Sequence, residues 1–214
     1  MSKDLHDYRQ SYEKSELLEQ MVPENPFQLF EIWFNEVEKI GAAGEVNAMT
    51  LSTIGLDNFP KNRVVLLKSF DEEGFVFYTN FKSDKGQAIA ENPNVCLSFF
   101  WPSMERQVVI RGIAEKVSEE EATEYYHSRP RGSQLGAWAS HQSSKVASRE
   151  ELESNLEKAE EKYQGEVVPK PDYWGGYVVK PLAIEFWQGR QNRLHDRIEF
   201  NKEKDSWVTK RLAP

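Results

Sequence analysis

The chain has 214 residues, enough for one large domain or two small ones. Hydrophobic residues at 39% and aromatics at 12% can build a core, which excludes wholesale disorder. Asp and Glu number 35 against 27 Lys and Arg, and a net charge of −8 is the opposite of what a protein that wraps nucleic acid carries.

Residues 1–22 are polar and charged and read as a mobile N-terminal arm, with residues 23–214 forming a single domain. The start, Met1 to His6, lacks the apolar core of a signal peptide. No apolar run approaches the ~20 residues a bilayer span needs, so a soluble, cytoplasmic protein with no membrane partner is expected. Asn25-Pro26 predicts a helix N-cap and first turn, followed by Phe27, Phe30, Phe34 and Val37 at helical spacing and ended by Gly41 and Gly44. From Ala48 the pattern changes to strands: Ala48–Ile54, Arg63–Phe70 and Phe75–Thr79, joined by Asp- and Gly-containing turns that suggest antiparallel hairpins. A short helix is expected over Lys82–Glu91, then strands over Val95–Trp101 and Arg106–Val117. Cys96, the one cysteine, can form no intramolecular disulfide and reads as a small buried hydrophobe. Ser118 and Ser148, each followed three residues later by Glu, open two further helices in the form of a capping box. Strands return at Tyr177–Trp187 and Arg193–Phe200. Strands on both sides of a helical insert predict one α+β domain on an antiparallel sheet or barrel.

Several familiar chemistries are absent. There is no G-x-G-x-x-G, P-loop or G-x-S-x-G pattern, and the four histidines fit no zinc motif, so no metal is expected. What remains are four clusters of cations and hydroxyls. Arg63-Val64-Val65-Leu66-Leu67-Lys68 sets a cation at each end of an apolar strand; by strict alternation the two face opposite ways, either toward two anions or as solvated strand ends. Tyr78-Thr79-Asn80-Phe81-Lys82-Ser83-Asp84-Lys85 runs from a strand end into a helix start, where free N–H groups and positive charge suit a phosphate, or simply form a connecting loop. His127-Ser128-Arg129-Pro130-Arg131-Gly132-Ser133 reads as a phosphate cradle or as a basic surface loop. In Arg193-Leu194-His195-Asp196-Arg197, an extended backbone would put Arg193, His195 and Arg197 on one face, as an anion site or as a charge-defended edge strand.

These segments together closely resemble the pyridoxamine 5′-phosphate oxidase family. The matching stretches are Arg63 to Lys68, Phe77 to Asn80, Glu105 to Gln107, Tyr126 to Arg131 with Ser133-Gln134, and Gly136 to Trp138. They continue, in family order, through Gln142 to Ser144, Trp174 to Gly176, Glu185 to Gly189, Arg193 to Arg197 and Arg211 to Pro214. The resemblance implies an FMN-binding split β-barrel, antiparallel with surrounding helices, working as a homodimer with FMN at the subunit interface. It implies oxidation of pyridoxamine or pyridoxine 5′-phosphate to pyridoxal 5′-phosphate, with O2 reduced to hydrogen peroxide and ammonia released from the amine. The implied FMN contacts are Arg63, Val64, Val65, Leu66, Leu67, Lys68, Tyr78, Thr79, Lys85, Gln107, Gln142, Ser143, Trp187 and Arg197. The implied substrate contacts are Lys68, Tyr125, Arg129 and Ser133 at the phosphate, Arg193, Leu194 and His195 at the reacting end, and Arg9 and Tyr12 from the arm; Arg193 and His195 are the implied catalytic pair. This chain departs from the family pattern at Asp84, where many relatives carry a basic residue, and carries an extra cation, Arg190, near the site. The competing expectations are a related split-barrel oxidoreductase acting on another small molecule, and a non-catalytic carrier of FMN or pyridoxal phosphate.

Overall fold

The structure is a computed structural model and describes residues 3–8, 10–41 and 44–214. The expected arm contact Arg9 lies outside the described residues. The elements are α1 (Pro26–Ile40), β1 (Ala48–Ile54), β2 (Pro60–Leu66), β3 (Ser69–Asp71), β4 (Gly74–Asn80), α2 (Asp84–Glu91), β5 (Asn94–Trp101) and β6 (Arg106–Lys116), followed by α3 (Glu119–Ser128), α4 (Arg131–Ala139), α5 (Arg149–Lys162), β7 (Trp174–Gln188), β8 (Asp196–Glu203) and β9 (Ser206–Leu212). The helix starts follow the sequence signals. Asn25 accepts the Phe27 N–H ahead of a first-turn proline, and Ser118 and Ser148 accept from Glu121 and Glu151. Gly41, in the left-handed region at φ 65°, ends α1.

The strands form one sheet in the order β2-β1-β5-β6-β7-β4-β3, with β8 on β7 and β9 on β8. β7 is the long strand of the set: its residues 174–179 pair antiparallel with β4, and 183–188 pair antiparallel with β8.

By contacts the chain divides into two compact units. One comprises Leu51–Cys96 and Gly112–Lys180. It carries α2 to α5, and a cluster of Tyr126, Leu135, Ala159, Tyr163, Val168 and Trp174 packs its helices together. The other comprises Met1–Thr50, Leu97–Arg111 and Pro181–Pro214. There α1 lays Phe30 and Trp33 against Phe99, Trp101 and Phe186, with ring centroids 5.2–6.0 Å apart. The Arg106 guanidinium, 4.4 Å from the Trp33 ring centroid, extends that packing and donates to Glu36 and Gln188.

Two expected strands come out differently. Arg63–Phe70 is not one strand but β2 and β3, because Leu67 turns into the core and the Lys68 N–H bonds to the Val76 carbonyl at 2.8 Å. Arg193 and His195 do not share a strand face with Arg197. A 3-10 turn over Gln191–Arg193, closed by the Leu194 N–H on the Gln191 carbonyl, puts Asn192 and Arg193 at φ 56° and 61°, and extended backbone resumes only at Asp196.

Candidate active site

Two groups of the expected residues assemble, one in each unit. In the helix-rich unit the β4–β7 register sets Tyr78 opposite Gly176 and Asn80 opposite Trp174. A Cβ at Gly176 would stand 2.7 Å from the Tyr78 ring, so glycine there lets that ring lie on the strand. Tyr78, Tyr125 and Trp174 then stack with planes within 20° of parallel, the Tyr78 centroid 3.9 Å from Tyr125 and 5.5 Å from Trp174. Beside this stack opens a cavity of about 610 Å³. Of the expected FMN contacts, Val64, Val65, Leu66, Lys68, Tyr78, Thr79, Lys85 and Gln142 line it; so do the expected phosphate ligands Lys68, Tyr125, Arg129 and Ser133. Among the described residues, Lys68, Lys85 and Arg129 face it as cations and no carboxylate lines it. In a chain of net charge −8 that is a marked local inversion.

The polar contacts around the cavity explain its shape. Gln142 Oε1 accepts from Thr79 Oγ1 at 3.2 Å and from Lys85 Nζ at 3.0 Å, which ties the loop after α4 to the end of β4 and the start of α2. Ser143, at φ 72°, accepts the Asp84 N–H through its hydroxyl. Arg63, an expected FMN contact, does not line the cavity: its Nη1 donates to Thr53 Oγ1 at 2.8 Å and to the Leu51 carbonyl at 3.1 Å. Leu67 is 3% exposed and belongs to the core. Burial, and then the nearby Arg63 guanidinium, hold the Lys85 ammonium below its ordinary pKa. Burial also lowers Arg129, whose Nη1 is shielded from solvent and has no hydrogen-bond partner among the described residues. A buried, unpaired guanidinium edge is costly unless an anion meets it.

In the other unit, Trp187 near the end of β7 meets His195 just before β8, with centroids 4.6 Å apart. Tyr12 presents its ring edge to both at 5.7 Å. The Arg190 N–H donates to His195 Nδ1 at 3.1 Å. Tyr12, Arg190, Arg193 and His195 line a cavity of about 490 Å³, and Leu194 lines a neighbouring one with Tyr12 and Glu16. Burial, then Arg193, lower the His195 pKa, while Asp196 acts the other way. Gln107 is half-buried on β6. Arg197 makes a two-pronged ion pair with Glu185, at 2.7 and 3.0 Å, and also donates to the Ala213 carbonyl.

A family model described as "Pyridoxamine 5′-phosphate oxidase" matches residues 36–163. The chain belongs to the pyridoxamine 5′-phosphate oxidase family. A second model of that family, described as "Pyridoxine 5′-phosphate oxidase C-terminal dimerisation region", matches residues 174–214. Among curated relatives, the pyridoxine/pyridoxamine 5′-phosphate oxidase of Flavobacterium johnsoniae is 62% identical over 211 residues, covering 98% of this chain and 99% of its own. That of Christiangramia forsetii is 58% identical over 214 residues, covering both chains in full. Among solved structures, PhzG from Burkholderia lata, in complex with tetrahydrophenazine-1-carboxylic acid, superposes with a TM-score of 0.86 at 26% identity over 94% of this chain and 100% of that one. A pyridoxamine 5′-phosphate oxidase-related, FMN-binding protein from Nostoc punctiforme shares the fold with a TM-score of 0.70 at 13% identity, over 90% of this chain and 100% of that one. The antiparallel split barrel with helices, expected from the family resemblance, is the fold these neighbours share.

Trp174 is a site residue that the sequence signals did not single out: its ring carries the Arg129 guanidinium 4.7 Å from its centroid. Asp196 and Glu105 are two more. Asp196 takes the Leu17 N–H, Arg190 and Arg211, and Glu105 takes the N–H groups of Glu13 and Lys14. Each acid stands directly before an arginine, Glu105 before Arg106 and Asp196 before Arg197, and that adjacency was the available signal. Among the described residues no group of three His, Cys, Asp or Glu could hold a metal, and no helix is long and apolar enough to cross a membrane.

Proposed function

We propose that this chain is an FMN-dependent oxidase that converts pyridoxamine and pyridoxine 5′-phosphates to pyridoxal 5′-phosphate, reducing O2 to hydrogen peroxide, as a cytoplasmic homodimer. The observation that carries the reading is the cavity beside the Tyr78–Tyr125–Trp174 stack, where, among the described residues, three cations and no carboxylate face inward and one guanidinium nitrogen lacks a partner. That donor set fits phosphate monoesters, which are dianions best held by charge-assisted bonds. High identity to curated relatives named for this activity, over nearly all of both chains, supports the substrate class. The match to a dimerisation region supports the homodimer.

The residues fit FMN as follows. Lys85, held by Gln142 beside Thr79, and Arg63 behind it offer two neighbouring cations to the cofactor phosphate. Residues 64–66 supply the wall of the cavity, and Gln107, Ser143, Trp187 and Arg197 are proposed to complete the FMN set. Bound there, FMN would supply the two-electron acceptor that none of the protein's side chains can provide.

The protein's own work is grip, orientation and charge. Arg129, Lys68, Tyr125 and Ser133 are proposed to hold the substrate phosphate, and α4 begins two residues before Ser133 with no side-chain cap on its first N–H groups. Anchoring the phosphate away from the reacting carbon converts binding energy into position. Arg193 and His195, with Leu194 and the arm residues Arg9 and Tyr12, are proposed to meet the reacting end, where Arg193 stabilises negative charge that develops there.

Two measurements test the reading. Purified protein should be yellow with a flavin spectrum, and colourless protein that does not take up FMN would remove it. Aerobic incubation with pyridoxamine 5′-phosphate should give pyridoxal 5′-phosphate and peroxide in equal amounts, with ammonia. Flavin uptake without turnover would instead favour a carrier. PhzG, seen with a phenazine carboxylic acid, makes a non-phosphorylated aromatic the natural control substrate. Turnover of such a compound in preference to the phosphates would move the assignment to that chemistry.

A further inference from the structure

We propose that His195 works as a neutral imidazole carrying its single proton on Nε2, a hydrogen-bond donor to its cavity, and that Arg190 is the positioning residue that fixes it there. The Arg190 N–H donates to His195 Nδ1 at 3.1 Å. A backbone amide nitrogen can only donate, so Nδ1 keeps its lone pair and the proton of the neutral ring lies on Nε2. Protonating Nδ1 would set two N–H groups head to head and break that bond. The imidazolium is therefore opposed by geometry before any charge is considered.

The surrounding groups oppose it too. Arg190 and Arg193 share the cavity with His195, and the ring lies among the uncharged Tyr12 and Trp187 rings. The facing anion is Asp196, and its carboxylate is already committed. One oxygen takes the Leu17 N–H and Arg190 Nη1, both at 3.0 Å; the other takes Arg211 Nη1 at 2.8 Å. Burial and Arg193 act in the same direction on the ring's proton affinity, against the weaker pull of Asp196.

Arg190 holds this arrangement with both ends. Its backbone is extended, at φ −136° and ψ 159°, and stands immediately before the turn that brings the chain back to His195. Its guanidinium bridges Asp196 and Glu16, the latter at 3.2 Å, so residue 190 is pinned between β8 and the N-terminal segment. With the main chain fixed, its N–H stays aimed at Nδ1. A loose residue 190 would let the ring flip or take the other tautomer. His195 then gives an acceptor atom of the substrate a hydrogen bond and takes no proton from it.

The role in turnover rests on the oxidase reading; the tautomer does not. The decisive measurement is a long-range proton–nitrogen NMR spectrum of the full-length protein loaded with FMN, with the His195 signals assigned by their loss in His195→Gln. The expected pattern near neutral pH is a pyridine-type Nδ1 and a pyrrole-type Nε2. A pyrrole-type Nδ1, or an imidazolium, overturns the proposal. Arg190→Gln removes the guanidinium bridge and should mix the two tautomers, with Arg190→Lys restoring part of the original pattern. Unchanged nitrogen signals in Arg190→Gln overturn the positioning role. In kinetics, His195→Gln keeps a donor near the Nε2 position and should retain turnover within about tenfold, whereas His195→Leu should lose about a hundredfold, as expected for a lost bond to a charged or developing charge. Equal losses in the two variants would overturn the donor role. A wild-type protein inactive on both phosphates would sink the oxidase reading while the nitrogen spectrum still decides the tautomer.

Discussion

The Arg129 guanidinium lies over the Trp174 ring, 4.7 Å from its centroid, with Nη1 buried and unpaired among the described residues. Stacking holds the planar group by its face and leaves its edge free to form bonds. Trp174 is itself fixed by the β4–β7 pairing and by the Tyr78 and Tyr125 rings. The cation is thus set in orientation before any ligand arrives, which lowers the ordering cost of binding.

Removing that cation should therefore weaken grip and spare chemistry. Arg129→Ala is expected to raise KM for pyridoxamine 5′-phosphate about 10- to 100-fold, the equivalent of one lost charge-assisted bond, with kcat within a few-fold of wild type. Arg129→Lys should recover only part of the loss, because an ammonium neither stacks nor presents a planar edge. Arg193→Ala should show the opposite split, a fall in kcat of about 100-fold with a smaller change in KM. Steady-state kinetics on the FMN-loaded protein decides; if Arg129→Ala lowered kcat alone, it would act on the reaction and not on the phosphate.

Alkaline pH should unfold the helix-rich unit through its tyrosines. Burial raises the phenol pKa of Tyr78, Tyr126, Tyr173 and Tyr177, and Tyr126 is pushed up to about 12 from 10.0. Between those values the unfolded chain gives up a proton that folded Tyr126 keeps, so the stabilisation is complete below pH 10.0 and is lost as pH rises through about 12. The melting temperature should fall steadily across that window, with tyrosinate absorbance appearing together with the loss of near-ultraviolet circular dichroism. The Tyr126 hydroxyl also donates to the Gln134 carbonyl at 2.8 Å, so Tyr126→Phe should cost about 1 kcal/mol at neutral pH and flatten the alkaline slope. An alkaline slope left unchanged by Tyr126→Phe would contradict the assignment.

Asp196 anchors the N-terminal segment, and its loss should be felt there first. Its two oxygens take Leu17 N–H, Arg190 and Arg211, and Arg211 in turn reaches the Leu17 carbonyl and Glu19. The Arg211 pairing holds the Glu19 carboxyl well down, at about 2. In Asp196→Ala the two arginines lose a shared partner and Leu17, which is 2% exposed, loses the bond that seats its backbone. Amide exchange and limited proteolysis should show residues 13–19 opening while the rest of the chain keeps its protection. Protection unchanged over that segment would mean that Glu105 and packing alone suffice to hold it.

The parts of this molecule that could be read from the sequence are those set by local rules. Helix α1 is announced by Asn25, Pro26 and the Phe27–Phe30–Phe34–Val37 spacing, and its left-handed stop by Gly41. The cavity residues on β2, β4 and α4 were visible as cation-bearing clusters. What those clusters bind came from resemblance, because a cluster of arginines has the same appearance whether it grips a ligand or meets solvent. The turn at Asn192 and Arg193 was missed, since left-handed backbone at two consecutive non-glycine residues has no strong sequence signal. The break at Leu67 and Lys68 was missed because the apolar run continues through it while the hydrogen-bond partner of the chain changes to Val76. Asp196 escaped notice because its role depends on residues 17, 190 and 211, which only the folded chain brings together.

Lys85 offers the sharpest test of whether the cavity is built for an anion at the expense of the free protein. Burial and the neighbouring Arg63 hold its ammonium below the ordinary 10.5, so the folded state gives up this proton before the unfolded state does. Lys85 therefore opposes folding at neutral pH, and the opposition fades as pH rises from its lowered value toward 10.5. A phosphate placed between Lys85 and Arg63 would reverse that effect. Lys85→Met should accordingly raise the melting temperature of the flavin-stripped protein by about 2–4 °C, the shift that 1 kcal/mol produces in a chain of this size. The same variant should bind FMN about 10- to 100-fold more weakly, because a charge-assisted bond to the cofactor phosphate is gone. Riboflavin, which lacks the phosphate, should show almost no difference between the two proteins. Paired thermal melts and fluorescence titrations with the two flavins check this, and equal weakening toward FMN and riboflavin would place Lys85 away from the phosphate.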